Sequence, residues 1–250
     1  MADVFLDLWG VLVDSRKMGP AYRWWAAESL SSRYGASVDA WLRAHEAGEA
    51  WYEAHLAKPE TWEGGTWIEV VNRADAEQVA RMFQATGVRP PPDPLGVSKA
   101  LTLEGMSTID AAFPDSRPAV ARLKKAGHRV FVSTNATEEN ARGTLAGAKL
   151  LAELDGVFTG ESQSASKTDT AYWRRIVDRI HVEPATSFVV DDREEYLRGA
   201  GPTGFRCLLM DREGSLPPEA MPEHVEATLR NLAGLPQYVE NAVRAGRARA

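Results

Sequence analysis

Val4-Phe5-Leu6-Asp7-Leu8-Trp9-Gly10-Val11-Leu12-Val13-Asp14-Ser15 opens the chain, and its reading decides the fold. An apolar run this short and continuous suits a strand buried on both faces of a parallel sheet. It closes on a carboxylate, Asp7, which is costly there unless it has a partner or a task. Gly10 permits a sharp turn just beyond. An Asp that merely caps the next turn explains these residues as well, until the rest of the chain is read.

Four more short apolar runs follow: His128–Ser133, Gly156–Thr159, Ser187–Val190 and Phe205–Met210. Amphipathic stretches lie between them, at Arg117–Ala126, Glu138–Leu150 and Thr170–Ile180. Gly127 follows Lys124-Lys125-Ala126 as a helix stop. Short strands alternating with helices predict an α/β fold with a parallel sheet of βαβ units. Residues 15–107 break the rhythm. They read as helices over Ala21–Tyr34, Val38–Leu56 and Asp75–Gln84, then a rigid Pro90-Pro91-Pro92-Asp93-Pro94 stretch. This predicts a core of residues 1–14 and 108–250 with a helical domain of residues 15–107 inserted. Six of the eight tryptophans, Trp24, Trp25, Trp41, Trp51, Trp62 and Trp67, fall in that insertion. They build its core or line a pocket.

In an open parallel sheet, ligands bind beyond the carboxyl ends of the strands. Three more of those ends carry reactive groups. Ser133-Thr134-Asn135 offers a hydroxyl and backbone amides that can hold a phosphate or carboxylate oxygen. Lys167, in the loop after the third run, can neutralise charge on a nucleophile and on a transferring group. Asp191-Asp192 pairs acids at the fourth strand end, which suits Mg²⁺ with its preference for oxygen ligands.

Each element is weak alone; the ordered set is specific. It resembles the four motifs of the haloacid dehalogenase-like hydrolase superfamily, over Met1–Ser15 and Asp110–Asn241. The resemblance implies a Rossmann-like core with a five-stranded parallel sheet of order 3-2-1-4-5, to which edge strands can be added. The insertion stands where that family places its C1-type cap. It also implies that Asp7 is a covalent nucleophile, Thr134 the second-motif hydroxyl and Lys167 the third-motif cation. Asp7, Asp192 and Asp191 would hold Mg²⁺, along with the Trp9 carbonyl. Trp9, Gly10, Asn135 and Arg23 are expected to meet the substrate.

The sequence departs from the family at three points. Phosphatases of this family carry a general-acid Asp two residues after the nucleophile; here that residue is Trp9. An indole N–H donates a hydrogen bond but is no usable acid, and general acid catalysis is worth about 10²–10⁴-fold. Thr168 follows Lys167 where Pro is common. Tyr196 stands where an acid or amide is often found, with Glu195 one residue away as a substitute. Three readings stay open: Mg²⁺-dependent phosphoryl or phosphonoacetaldehyde-like hydrolysis with a good leaving group, carbon–halogen hydrolysis, or a weakly active ligand-binding member. A phosphonatase-like route would call on a cap lysine, for which Lys58 is a weak candidate.

The remaining features narrow the setting. A net charge of −6 with no clustered basic face speaks against nucleic acid. No apolar run reaches the roughly 20 residues of a membrane span. One cysteine, Cys207, excludes an internal disulfide and fits a reducing cytoplasm; its apolar surroundings predict an inert thiol. A small-molecule substrate and a monomer or homodimer are expected. His45, His55 and the acids Glu46, Glu49 and Glu53 read as packing or solvated groups. Arg244, Arg247 and Arg249 read as a solvated tail.

Overall fold

The structure, a computed structural model, describes residues 1–216 and 221–247. Six parallel strands form one sheet: β1 (Asp3–Leu6), β2 (Arg129–Thr134), β3 (Gly156–Thr159), β4 (Phe188–Asp191), β5 (Arg206–Met210) and β6 (Val225–Leu229). Their order is β3-β2-β1-β4-β5-β6. The expected five-strand order is present, and β6 extends it at the edge. That strand escaped sequence reading because only Val225 is buried, while Glu226 and Thr228 are exposed. It therefore lacks the continuous apolar run that marks the central strands.

Ten helices complete the described chain: α1 (Ser15–Tyr34), α2 (Val38–Leu56), α3 (Trp67–Thr86), α4 (Pro94–Thr108), α5 (Ser116–Lys125), α6 (Glu138–Gly147), α7 (Gly160–Gln163), α8 (Thr170–Ile180), α9 (Glu194–Ala200) and α10 (Leu235–Arg247). Alternate residues of β1 feed opposite faces of the sheet. Val4 and Leu6 join Leu123, Val132, Leu145 and Val190 on one side. Phe5 joins Trp173, Ile176 and Val189 on the other, and stacks on Phe131 with ring centroids 5.1 Å apart. Cys207 lies in this second cluster, and burial pushes its thiol up to about 12, as an inert role requires.

Helices α1 to α4 lie between β1 and β2 in sequence. They share a third cluster around Ala27, Leu30, Trp41, Met82 and Phe83. Two of them start earlier than their apolar patterns suggest, because polar caps set the start. The Asp14 side chain accepts from the Arg16 amide and begins α1 six residues before Ala21. Thr66 and Glu69 form a reciprocal capping box that begins α3 at Trp67. The proline-rich stretch is no free hinge: Asp93 accepts from the Gly96 amide at 2.9 Å, and Pro94 occupies the first position of α4.

Helix α4 ties these helices to the sheet. Its Leu101 belongs to the third cluster and its Met106 to the cluster on β1. It packs on α6 through glycines. A Cβ at Gly147 would stand 2.4 Å from the carbonyl oxygens of Met106 and Ile109. Among the described residues, no helix is long and apolar enough to cross a membrane. In the basic tail, Arg244 pairs with Glu240 at 3.5 Å, and Arg249 lies outside the described residues.

Backbone oxygens cannot move aside as a flexible side chain can. Gly147→Ala is therefore expected to destabilise the protein by about 1–3 kcal/mol in urea unfolding, the range for overpacking. An unchanged midpoint would show that α4 and α6 are not tightly apposed.

Candidate active site

The strand register brings the reactive groups together. Leu6 pairs with Val132 on one side and Val190 on the other, so the residues that follow, Asp7, Ser133 and Asp191, lie side by side at the carboxyl ends of the three strands. The Asp7 amide continues the ladder to the Val190 carbonyl at 2.9 Å. This is where the strand order reverses, the usual place for a ligand in an open parallel sheet.

Lys167 is the hub. Its side chain is fully buried, and its ammonium donates to Asp7 Oδ1 and to Asp191 Oδ2, both at 2.5 Å, and to the Ser133 carbonyl at 3.2 Å. The backbone around it is held as firmly. Asn135 Oδ1 accepts from the Lys167 amide at 2.8 Å, and Trp173 Nε1 donates to the Lys167 carbonyl at 2.9 Å. A Cβ at Gly199 would lie 2.1 Å from that same carbonyl, so α9 can approach this loop only through a glycine. Tyr196 has its ring 4.7 Å from the ammonium. The family's usual acid or amide is thus replaced by an aromatic face that attracts a cation. Glu195 does not substitute for it: that side chain is exposed and pairs with Arg193.

Burial raises the Asp7 carboxyl, against the attraction of Lys167. It raises Asp191 as well, with the same attraction opposing it and repulsion from Asp7 adding to it. Burial would lower the Lys167 ammonium, but Asp191 and Asp7 outweigh it and hold the group above its ordinary value. Asp192 is more open. Burial, then the neighbouring Asp7, raises it to about 6. Oxygens of Asp7, Asp191 and Asp192 come within 4.8 Å of one another. Three carboxylates against one ammonium leave an excess of negative charge on an all-oxygen donor set, which fits a hard divalent cation.

Gly10 adopts φ +75°, and a Cβ there would fall 2.0 Å from Asp192 Oδ2. The turn therefore needs glycine for its conformation and for its contact with the acid. Sequence reading missed the clamp on this turn. Arg212, two residues beyond β5, donates to the carbonyls of Gly10 at 3.0 Å and Val11 at 2.6 Å, and to Asp115 at 3.2 Å. Its only sequence signal is an arginine after a strand end. Thr134 is buried at the end of β2 and accepts from the Ala136 amide at 3.2 Å, which leaves its own hydrogen to donate. Both polar atoms of the Asn135 side chain serve the Lys167 loop, since Nδ2 donates to Ser166 Oγ at 3.2 Å.

A cavity of about 610 Å³ opens beside these groups. Trp9 and Asn135 form one end, and α1 to α4 supply most of the wall. Arg23 is not part of it; its guanidinium turns to Glu49 at 2.6 Å, between α1 and α2. Lys58 is exposed and no lysine lines the cavity. Of the acids expected on a solvated face, Glu46 and Glu53 are exposed and Glu49 is half-buried; Glu49 and Glu53 also stand along the cavity wall. So does His45, whose side chain is 8% exposed. His55 packs instead on Trp51, ring centroids 4.8 Å apart. The tryptophans divide: Trp41 is core, Trp62 and Trp67 line the cavity, and Trp24 is exposed.

Asp75, on α3, faces the cavity with the Tyr52 hydroxyl as its partner, and burial raises it to about 6. A carboxyl raised on folding binds protons more tightly in the folded state. Its ionisation therefore weakens the fold as pH climbs from about 4 to about 6, and the penalty stays in full above that. Asp75→Asn is expected to raise stability at pH 7.5 by up to about 3 kcal/mol, with the gain fading as pH falls from about 6 to about 4 and absent below that. Equal unfolding midpoints for the two proteins at both pH values would contradict this.

The chain was compared with known proteins. The family model for haloacid dehalogenase-like hydrolase matches residues 4–201. The chain is 30% identical to (S)-2-haloacid dehalogenase 4A of Burkholderia cepacia over 109 residues, 44% of this chain and 47% of that protein. It is 31% identical to the phosphatase MT3486 of Mycobacterium tuberculosis over 103 residues, 41% of this chain and 48% of that protein. The matched segments span about half the length of these relatives. The structure of 2-haloacid dehalogenase from Pseudomonas syringae pv. Tomato superposes with a TM-score of 0.65 at 18% identity, covering 96% of this chain and 99% of that one. A phosphatase from Thermococcus onnurineus gives 0.61 at 19% identity, with 96% and 98% covered. At such identities the superpositions speak for the fold. With its motifs in order on this sheet and the family model spanning most of its length, the chain belongs to the haloacid dehalogenase-like hydrolases.

Proposed function

We propose that the chain hydrolyses a small substrate through a covalent intermediate on Asp7, with Mg²⁺ held by Asp7, Asp191 and Asp192, and that residues 15–107 act as a cap. The observation that carries this is the meeting of the Asp7 carboxylate with Lys167 and the acid pair at adjacent strand ends. Lys167 occupies Asp7 Oδ1, which leaves Oδ2 as the attacking atom. Attack forms a bond from Asp7 to phosphorus, and the bond to the leaving group breaks with its electron pair. Thr134 and the following amides bind the oxygens that do not react. Water then replaces the Asp7 carboxylate at phosphorus, and its proton passes to solvent. Bound Mg²⁺ would lessen repulsion between Asp7 and an anionic substrate. The cavity walls shield the reaction from bulk water.

Trp9 decides what can leave. It lines the cavity where a general acid would stand, and its indole N–H is far too weak an acid to protonate a leaving group. The substrate therefore has a leaving group that departs without protonation. The same fact supports a second reading, carbon–halogen hydrolysis, because halide leaves as an anion. That reading draws further support from two relatives named as (S)-2-haloacid dehalogenases. The three-carboxylate set favours the metal-dependent route, since displacement of halide has no use for it.

A panel of small phosphate esters, phosphonates and 2-haloacids, assayed with and without Mg²⁺, separates the readings. The expected result is turnover of a phosphorus substrate that a chelator abolishes and Asp7→Asn lowers by at least about 10³-fold, with the fold intact by circular dichroism. Halide release indifferent to the chelator establishes the second reading. Ligand-dependent melting with no turnover marks a binding protein.

A further inference from the structure

The cavity has a polar end that this chemistry leaves unused. Asp75 stands there with a tyrosine hydroxyl as partner and no cation of its own. The nearest ammonium that acts on it, Lys99, is held by Glu161 at 3.1 Å and Glu139 at 3.3 Å. Glu49, in the same wall, is met by Arg23. His45 adds a second open position. Its Nδ1 is buried without a hydrogen bond of ordinary geometry, 3.5 Å from Glu49 Oε1, and its ring meets Tyr22 edge-on with centroids 5.7 Å apart. Tyr22 and Tyr52 bring aromatic faces to the same lining.

A half-buried carboxylate that faces a cavity, forms no ion pair among the described residues and shares its lining with two tyrosines is a site for a cation. A neutral hydroxyl would satisfy hydrogen bonds but leave the Asp75 charge uncompensated. An anionic group would be repelled by Asp75 and by Glu53, which also lines the cavity. An ammonium answers both demands: it donates charge-assisted hydrogen bonds to the carboxylate and lies against the ring faces.

We propose that the substrate carries a protonated amine at the end remote from its reacting group, and that Asp75 receives it between Tyr22 and Tyr52. This rests on the reading of the cavity as the substrate pocket of a small-molecule hydrolase. It adds a specificity that the reading itself does not contain. It also gives Asp75 a reason to persist at a position where its charge weakens the fold.

The test uses 2-phenylethylamine and its neutral counterpart 2-phenylethanol as probes, with binding to the full chain measured by calorimetry at pH 7.5. The amine is expected to bind at least about tenfold more tightly than the alcohol. Asp75→Asn should erase that preference and Asp75→Glu should keep most of it. Equal affinities in the unaltered protein, no saturable binding of the amine, or a preference that survives Asp75→Asn would each overturn the proposal. The comparison in the unaltered protein stands even where a variant fails to fold. Binding needs no turnover. Amine preference in a protein that hydrolyses nothing overturns the hydrolase reading alone, and turnover without amine preference overturns this inference alone.

Discussion

The Lys167 ammonium, buried between the carboxylates of Asp7 and Asp191, is the constraint on which the rest of the site depends. Taking three ionised groups out of water is expensive, and removing one partner of such a set costs roughly 3–5 kcal/mol because the others are left uncompensated. The protein meets this by fixing Lys167 from every side. Asn135 holds its amide, Trp173 its carbonyl, and Tyr196 places a ring beside its head. Gly199 lets α9 come close enough to shape the loop. Few of these groups touch a substrate. Their shared effect is to present a buried carboxylate beside a permanent positive charge, with one oxygen engaged and the other left for chemistry.

Much of this was legible in the sequence because the central strands are buried on both faces. Val4–Leu6, Val130–Val132 and Phe188–Val190 read as unbroken apolar runs, and each is followed at once by a polar residue of the site, Asp7, Ser133 and Asp191. The edge strand β6 was not placed, since Glu226 and Thr228 face solvent and the run is broken. Helix starts were misjudged where a cap decides them: Asp14 and Thr66 each begin a helix ahead of its apolar pattern. Helix α4, begun by Asp93, was not read from the sequence at all. The inward faces of the inserted helices were not legible either. Glu49 looks solvated along α2 and His45 gives no sign of a pocket; the packing of α2 against α1 and α3 sets both in a cavity wall. Arg23 was expected to meet the substrate, but Glu49 holds it outside the cavity. Arg212 acts across 202 residues of sequence on the Gly10 carbonyl, a distance that no local pattern spans.

The two ends of the molecule divide the work. The sheet supplies reacting groups whose geometry is locked by register, glycine contacts and one buried cation. The inserted helices supply a pocket whose polar lining is only partly satisfied, at Asp75 and at His45 Nδ1. Such incomplete satisfaction weakens a fold and is retained where a ligand completes it. Trp9 joins the two, because it follows the Asp7 strand and lines the cavity. Under the proposed function, its place where other family members carry an acid moves the demand for a stable leaving group onto the substrate.

The most direct test is to look for the transferred group on Asp7 itself. Once a substrate is in hand, turnover is quenched in acid and the peptide of residues 1–16 is sequenced by tandem mass spectrometry. A mass increase equal to the transferred group, located on Asp7 and absent in Lys167→Met, is the result that follows from this arrangement. Steady turnover with Asp7 unmodified, or with the adduct on another residue, would contradict it.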